Sequence, residues 1–215
     1  MSGFFNMENG FFSTISKIVD IIILSMIWSL LCLPIITIGP ATTALYYTVV
    51  KVIRRERGYL MREYFSAFKS NFKIGTLSTI VLLIMYLILI FDQKWANTLE
   101  GTMAYILISV FNSMIFLLTC VAIYLFPILS RFKISMKQLF KTSLFMSMKH
   151  LPSTILIAII IAVFGLGTYI IMPLVFIAPA LCCLVVSFLF ERVLKKYMPQ
   201  KDEEDENSRD EWYLE

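Results

Sequence analysis

Thirty consecutive residues between Asp20 and Lys51 carry no charge, and forty more between His150 and Glu191 carry none. Uncharged runs of that length suit the hydrocarbon of a bilayer, where a spanning helix needs about 20 apolar residues. Composition agrees: 59% of the residues are hydrophobic and 16% charged, against roughly 25% charged in soluble domains. A water-soluble fold of this size has too little interior to hide so much apolar side chain. The segment before the first tract holds one basic residue, Lys17, and no small-residue cleavage pattern follows it. The tract is therefore expected to remain as a membrane helix and not to be removed as a signal. Cys32, Cys120, Cys182 and Cys183 fall within apolar stretches and read as packing residues, not disulfides or ligands.

Hydropathy and charge spacing divide the chain into four apolar blocks, Ile18 to Val50, Ile74 to Phe91, Met103 to Pro127 and Leu151 to Phe190. The second and third are one span each, and the fourth is long enough for two. The first block would make about 45 Å of helix, too long for one upright span and short for two. Proline placement favours a hairpin. The stretches Leu33–Ala41 and Met172–Ala180 align at a constant offset, placing Pro34 over Pro173, Ile38 over Ile177, Pro40 over Pro179 and Ala41 over Ala180. In each, the first proline disfavours helix before it, while Pro40 and Pro179 suit the first turn of the helix that follows. The expected fold is thus an all-α polytopic membrane protein with six helices at 14–34, 40–56, 74–91, 103–127, 152–172 and 179–196. Pro34, Gly39, Pro40, Pro173 and Pro179 form two structural breaks of a possible internal repeat. A five-helix alternative treats the first block as one span, with residues 41–57 as a cytoplasmic helix and the N-terminus outside.

Basic residues orient the chain. Seven fall in Lys51–Lys73 and five in Arg131–Lys149, against only Lys94 in Asp92–Thr102. Basic loops stay cytoplasmic, so the six-helix reading puts both termini there and turns the Pro34–Pro40 break outward. The connections carry apolar residues at helical spacing. Met61, Phe65, Phe68 and Phe72 lie near Arg62, Lys69 and Lys73, and Phe140, Leu144, Met148 and Leu151 near Lys137, Lys141 and Lys149. Such stripes suit helices in the membrane interface or docked on a partner. Residues 1–200 then form the membrane domain. Residues 201–215, with eight acidic residues from Asp202 onward, form a tail expected to be solvated and disordered.

Chemistry-bearing groups are few. The only histidine, His150, stands at a membrane boundary, and no zinc motif, nucleophile elbow or phosphate loop occurs. The chain is expected not to be an enzyme and to hold no metal or cofactor. Asp20 lies one turn from Lys17 and is able to pair with it, Asp92 closes the third helix, and Gly165-Leu166-Gly167 would let helices approach closely. Asn112, beside Ser109 and Ser113, is the deepest polar group and suits an interhelical hydrogen bond or a substrate contact. Thr37, Thr42, Thr43, Tyr46 and Tyr47 cluster at the first break, where they line a small polar cavity or satisfy the broken backbone. With Asn112, Thr37, Thr42, Thr43 and Tyr46 make up the candidate substrate-binding set.

Phe4-Phe5-Asn6, the run Leu33–Tyr47, Gly58-Tyr59, Phe65 through Lys73, Phe126-Pro127, Ser130-Arg131-Phe132 and Lys149–Pro152 together resemble the YesL family of bacterial integral membrane proteins. The resemblance covers about residues 3–197, and the proline-bearing run is its most specific part. It implies a bacterial cell-membrane location and a role beside a carbohydrate transporter subunit or a membrane sensor. It supplies no catalytic residues. The expectation is an accessory or regulatory component of a carbohydrate uptake or sensing system, with the bilayer as solvent and no nucleic-acid partner. A small stand-alone permease for a sugar or other small molecule is the alternative.

Overall fold

A computed structural model describes residues 10–132 and 134–194. Seven α-helices follow in order: α1 Gly10–Leu31, α2 Ile38–Thr48, α3 Leu60–Ala96, α4 Thr102–Arg131, α5 Met136–Lys149, α6 Leu151–Ile170 and α7 Ala178–Leu194. No strand occurs among the described residues. Five segments are long and apolar enough to cross a membrane, Thr14–Leu31, Ile35–Arg54, Leu60–Ala96, Thr102–Arg131 and Leu151–Ile170. The chain is a polytopic helical membrane protein. The acidic tail and the Phe4-Phe5-Asn6 motif lie outside the described residues.

Both proline breaks adopt the same local form. A 3-10 turn at Ile35–Thr37 precedes α2, and another at Met172–Phe176 precedes α7. Pro40 and Pro179 sit in the first turns of α2 and α7, where a missing N–H costs nothing. Helix α1 ties down both. Its Trp28 Nε1 donates to Thr42 Oγ1 at 3.2 Å, and its Ser25 Oγ accepts from the Ala180 N–H at 3.1 Å while lying 3.2 Å from the Ile177 carbonyl. The Ala180 N–H is one of the first-turn donors that no helix can satisfy by itself.

Helices α1 and α2 form an antiparallel hairpin, since Trp28 meets Thr42 near the turn and Lys17 meets Glu56 at the open end, 2.5 Å apart. The lysine expected to pair with Asp20 thus reaches across the hairpin instead. Its hydrogen bond and charge hold the Glu56 carboxyl below the usual range. The contribution of this exposed pair is present at neutral pH and is lost as pH falls through that depressed value.

Three expected boundaries move. The stripe over residues 61–73 is not a separate interfacial helix but the first half of α3, a single 37-residue helix about 56 Å long. The change from charged to apolar residues marks a change of solvent, and no proline interrupts the run; the helix also passes Asp92 and ends at Ala96. Helix α4 continues through Pro127 to Arg131, as membrane helices tolerate. Helix α2 gives way at Val49–Arg54 to a wider π-helical turn.

Helix α2 lies antiparallel to α3 across the boundary between its charged and apolar halves. Gly39 and Pro40 meet Gly75 and Thr79, and Lys51 Nζ meets Glu63 Oε2 at 2.7 Å. A Cβ at Gly39 would overlap Thr79 Oγ1 and the Gly75 carbonyl, and one at Gly75 would stand 2.9 Å from the Pro40 nitrogen. The close helix approach therefore occurs here and not at Gly165, whose added Cβ would meet nothing within 4 Å. The apolar half of α3 runs on to pair with α4 through Tyr86 and Thr119, 2.8 Å apart, and through Gln93 Nε2 donating to Asn112 Oδ1 at 2.8 Å.

The turn between α1 and α2 thus lies level with Gly75–Thr79, some 26 Å short of the Ala96 end of α3. Its tip is apolar and exposed at Leu33, Ile35 and Ile36. Single cysteines in a cysteine-free background should leave Asn97→Cys labelled by an impermeant maleimide from the Ala96 side and Leu33→Cys protected from it; equal labelling rates would show that the hairpin crosses fully. Gly75→Val should lower the thermal stability of the purified protein by about 1–3 kcal/mol through overpacking, whereas Gly165→Ala should leave it unchanged.

Candidate functional site

Two features of the bundle are built from residues far apart in sequence: a buried ionic cluster and a cavity beside it. The cluster centres on Glu191, in the last turn of α7 and 5% exposed. Its Oε1 accepts from Arg131 Nη2 of α4 at 2.5 Å and from the Tyr46 hydroxyl of α2 at 3.1 Å. Arg55, just past the π-helical turn, approaches Oε2 at 3.9 Å. Burial, and then the charge of Arg131, draw the Arg55 pKa down from its ordinary value, yet an arginine remains cationic through any physiological range. Arg54 extends the cluster along α7, donating to the Ser187 carbonyl at 3.1 Å and lying 4.2 Å over the Phe188 ring.

A carboxylate at a helix C-terminus opposes the helix dipole, and a buried one is costly without a charged partner. Arg131 meets both demands from a neighbouring helix. The adjacent Phe190 is fixed edge-on between Tyr46 and Tyr124, at centroid distances of 5.9 and 4.9 Å. Tyr124 in turn lies 3.1 Å from Thr154 Oγ1, which is 3.0 Å from the Ser147 and His150 carbonyls at the joint of α5 and α6. The cluster and its aromatic neighbours join α2, α4, α5, α6 and α7.

Beside Tyr46 and Phe190 opens a cavity of about 470 Å³. Trp28, Thr42, Thr119, Pro127, Gly165 and Cys183 are among its lining residues, and its wall is overwhelmingly apolar. The polar groups on it are engaged: Trp28 with Thr42, Thr119 with Tyr86, Thr168 with the Gly165 carbonyl and Tyr46 with Glu191.

The candidate substrate-binding residues are dispersed. Thr42 and Tyr46 line the cavity. Thr37 Oγ1 lies in the turn, 2.5 Å from the Leu31 carbonyl and 2.7 Å from that of Pro34, and Thr43 donates to the Gly39 carbonyl at 2.9 Å. Both hydroxyls therefore serve the backbone at the break. Asn112 is exposed on α4 with Gln93 as its partner, and Tyr47 accepts from Lys51 at 3.1 Å. Pro34 is exposed, Gly39 and Pro40 are buried against α3, Pro173 lies in the second 3-10 turn and Pro179 in the first turn of α7. Arg131 and Glu191 did not figure among the sequence candidates. The available signal was a lone acidic residue in the last turn of an apolar helix, a position that requires a cation from elsewhere in the fold. No group of three or more potential metal ligands occurs among the described residues, and all four cysteines are free.

Arg131→Met should destabilise the protein by about 3–5 kcal/mol by stranding the Glu191 charge, read by thermal unfolding in detergent. The double variant Arg131→Met, Glu191→Leu should regain most of that loss. Equal destabilisation by the single and double variants would mean that the ion pair itself, and not the stranded charge, carries the stability.

Residues 21–93 match the model of a family described as a protein of unknown function, DUF624. The match takes in the second half of α1, all of α2 and most of α3, including the Gly39–Gly75 approach. No curated protein and no solved structure matches the chain.

Proposed function

We propose that this chain is a non-enzymatic accessory or regulatory protein of the bacterial cell membrane, serving a carbohydrate uptake or sensing system, with both termini cytoplasmic. The observation that carries the reading is the fate of the hydroxyls at the first break. Thr37 and Thr43 are turned to backbone carbonyls, Thr42 to Trp28 and Tyr46 to Glu191. A sugar needs several convergent donors and acceptors to replace its water, because unmatched buried polar groups are costly. The apolar cavity is a poor host for one. That weighs against the stand-alone permease. The carbohydrate assignment rests on the resemblance of the proline-bearing run to the YesL family.

Surface for a partner is plentiful. Met61, Phe65 and Phe72 are exposed on α3, which packs on α2 through the other face bearing Tyr64, Ala67 and Gly75. On α5, Leu144, Phe145 and Met148 are exposed while Leu139, Ser143 and Met146 are buried. The orientation follows the basic residues: Lys51, Arg54, Arg55 and Arg131 gather at the open end of the hairpin with Lys17, and at the other end of α3 its last turn carries Lys94.

Purification at native expression in mild detergent should recover a transporter subunit or sensor kinase in near-stoichiometric amount, and recovery of the chain alone would count against the proposal. Uptake of a sugar or oligosaccharide into liposomes carrying only this protein would establish the permease instead, and Thr42→Val should then impair it.

A further inference from the structure

The cavity beside the ionic cluster has the marks of a site for an apolar ligand. Its volume of about 470 Å³ falls within the 300–1,000 Å³ usual for small-molecule pockets. It is bounded by five α-helices and the second 3-10 turn and opens beside α6, where Ile161 and Gly165 line it and are themselves exposed. Helix α6 is the least enclosed of the candidate spans, with only Thr154 and Ile157 buried. Ile155, Ile159, Val163, Leu166 and Ile170 are all exposed on it. In a membrane protein such a surface faces lipid tails, so the mouth of the cavity faces them too.

The lining selects the occupant. None of the buried side-chain polar atoms that lack a hydrogen-bond partner belongs to a lining residue, so no headgroup or solute is called for to complete a polar site. Apolar cavities exclude water and take up apolar molecules, and an empty one forfeits the dispersion contacts of its walls. Gly165 leaves open space where any other residue would project a side chain. A void of this size, overwhelmingly apolar and open sideways to hydrocarbon, is filled by the hydrocarbon at its mouth.

We propose that this cavity binds one acyl chain of a bilayer phospholipid, admitted sideways past α6 at Gly165 and seated between Trp28 on one side and Tyr46 and Phe190 at its inner end. The occupant then rests against the two rings that back the Glu191 cluster. Lipid binding and the packing of α2, α4 and α7 share those side chains.

Trp28 reports occupancy directly. The full chain carrying Trp95→Phe and Trp212→Phe retains Trp28 as its only indole and is reconstituted in phosphatidylcholine vesicles containing a fraction of brominated phosphatidylcholine. Trp28 fluorescence should be quenched, and Gly165→Phe on α6 or Ala122→Phe on α4, which place a ring in the cavity, should remove at least half of that quenching. Unchanged quenching in a folded plug variant would overturn the proposal. So would absence of quenching in the unplugged chain, the result expected if a second copy or a partner helix fills the space. If both plug variants fail to fold, native mass spectrometry of the unaltered, delipidated protein decides. One phospholipid retained per chain supports the site; retention of none, or of a free fatty acid or other single-chain lipid, overturns it.

Discussion

One buried carboxylate sets the register of the bundle. A carboxylate buried in the last turn of α7 calls for cationic partners, and Glu191 meets them from α4 and from the segment following α2. Meeting that demand fixes where α7 stands against both. It also explains why α4 runs through Pro127: a helix ending at the proline would place Arg131 outside the regular geometry that aims it inward. Phe190 is carried with Glu191 into the gap between Tyr46 and Tyr124. The inner end of the cavity is thus a consequence of the ion pair.

A second constraint acts at the backbone. Two helices begin within the apolar region after proline breaks, and their first-turn N–H groups have no intrahelical acceptor. Helix α1 meets one of these donors directly, Ser25 Oγ accepting from the Ala180 N–H of α7, and ties down α2 through the Trp28 indole N–H donating to the Thr42 side chain. The shared form of the two breaks therefore has a structural use, since one helix braces both. Close packing of Gly39–Pro40 on Gly75 and Thr79 sets α2 across the boundary between the charged and apolar halves of α3, and this holds the turn of the first hairpin at mid-length of α3.

Much of the architecture was legible because its causes are local. Uncharged length, proline position and the spacing of basic residues reveal the membrane helices, the hairpin character of the first block and the second helix pair after His150. What escaped depends on neighbours distant in sequence. Gly39 and Gly75 are ordinary glycines until α2 and α3 are docked, whereas the conspicuous Gly165-Leu166-Gly167 marks an opening and not a contact. The exposed stripes of α3 and α5 were read as continuous apolar faces. In the fold, the face that packs on each helix is a different one, and it mixes large residues, Tyr64 or Leu139 and Met146, with small ones, Ala67 and Gly75 or Ser143 and Ser147. The hydroxyls at the first break were visible, but their partners are carbonyls one turn away or groups on other helices.

The distribution of charge follows from the same packing. Several cations at the basic end are engaged within the fold: Lys17 with Glu56, Lys51 with Glu63, Arg54 with Ser187, and Arg55 and Arg131 with Glu191. The exposed positive charge of Arg62, Lys69 and Lys73 on α3 and of Lys137 and Lys141 on α5 stands beside the apolar residues left uncovered on those two helices. Basic and apolar groups so placed suit the boundary between anionic headgroups and hydrocarbon, and equally the surface of a membrane partner. The division of labour is physical. Charges near α2 and α7 hold the bundle together from within, and those on α3 and α5 determine what the bundle meets outside.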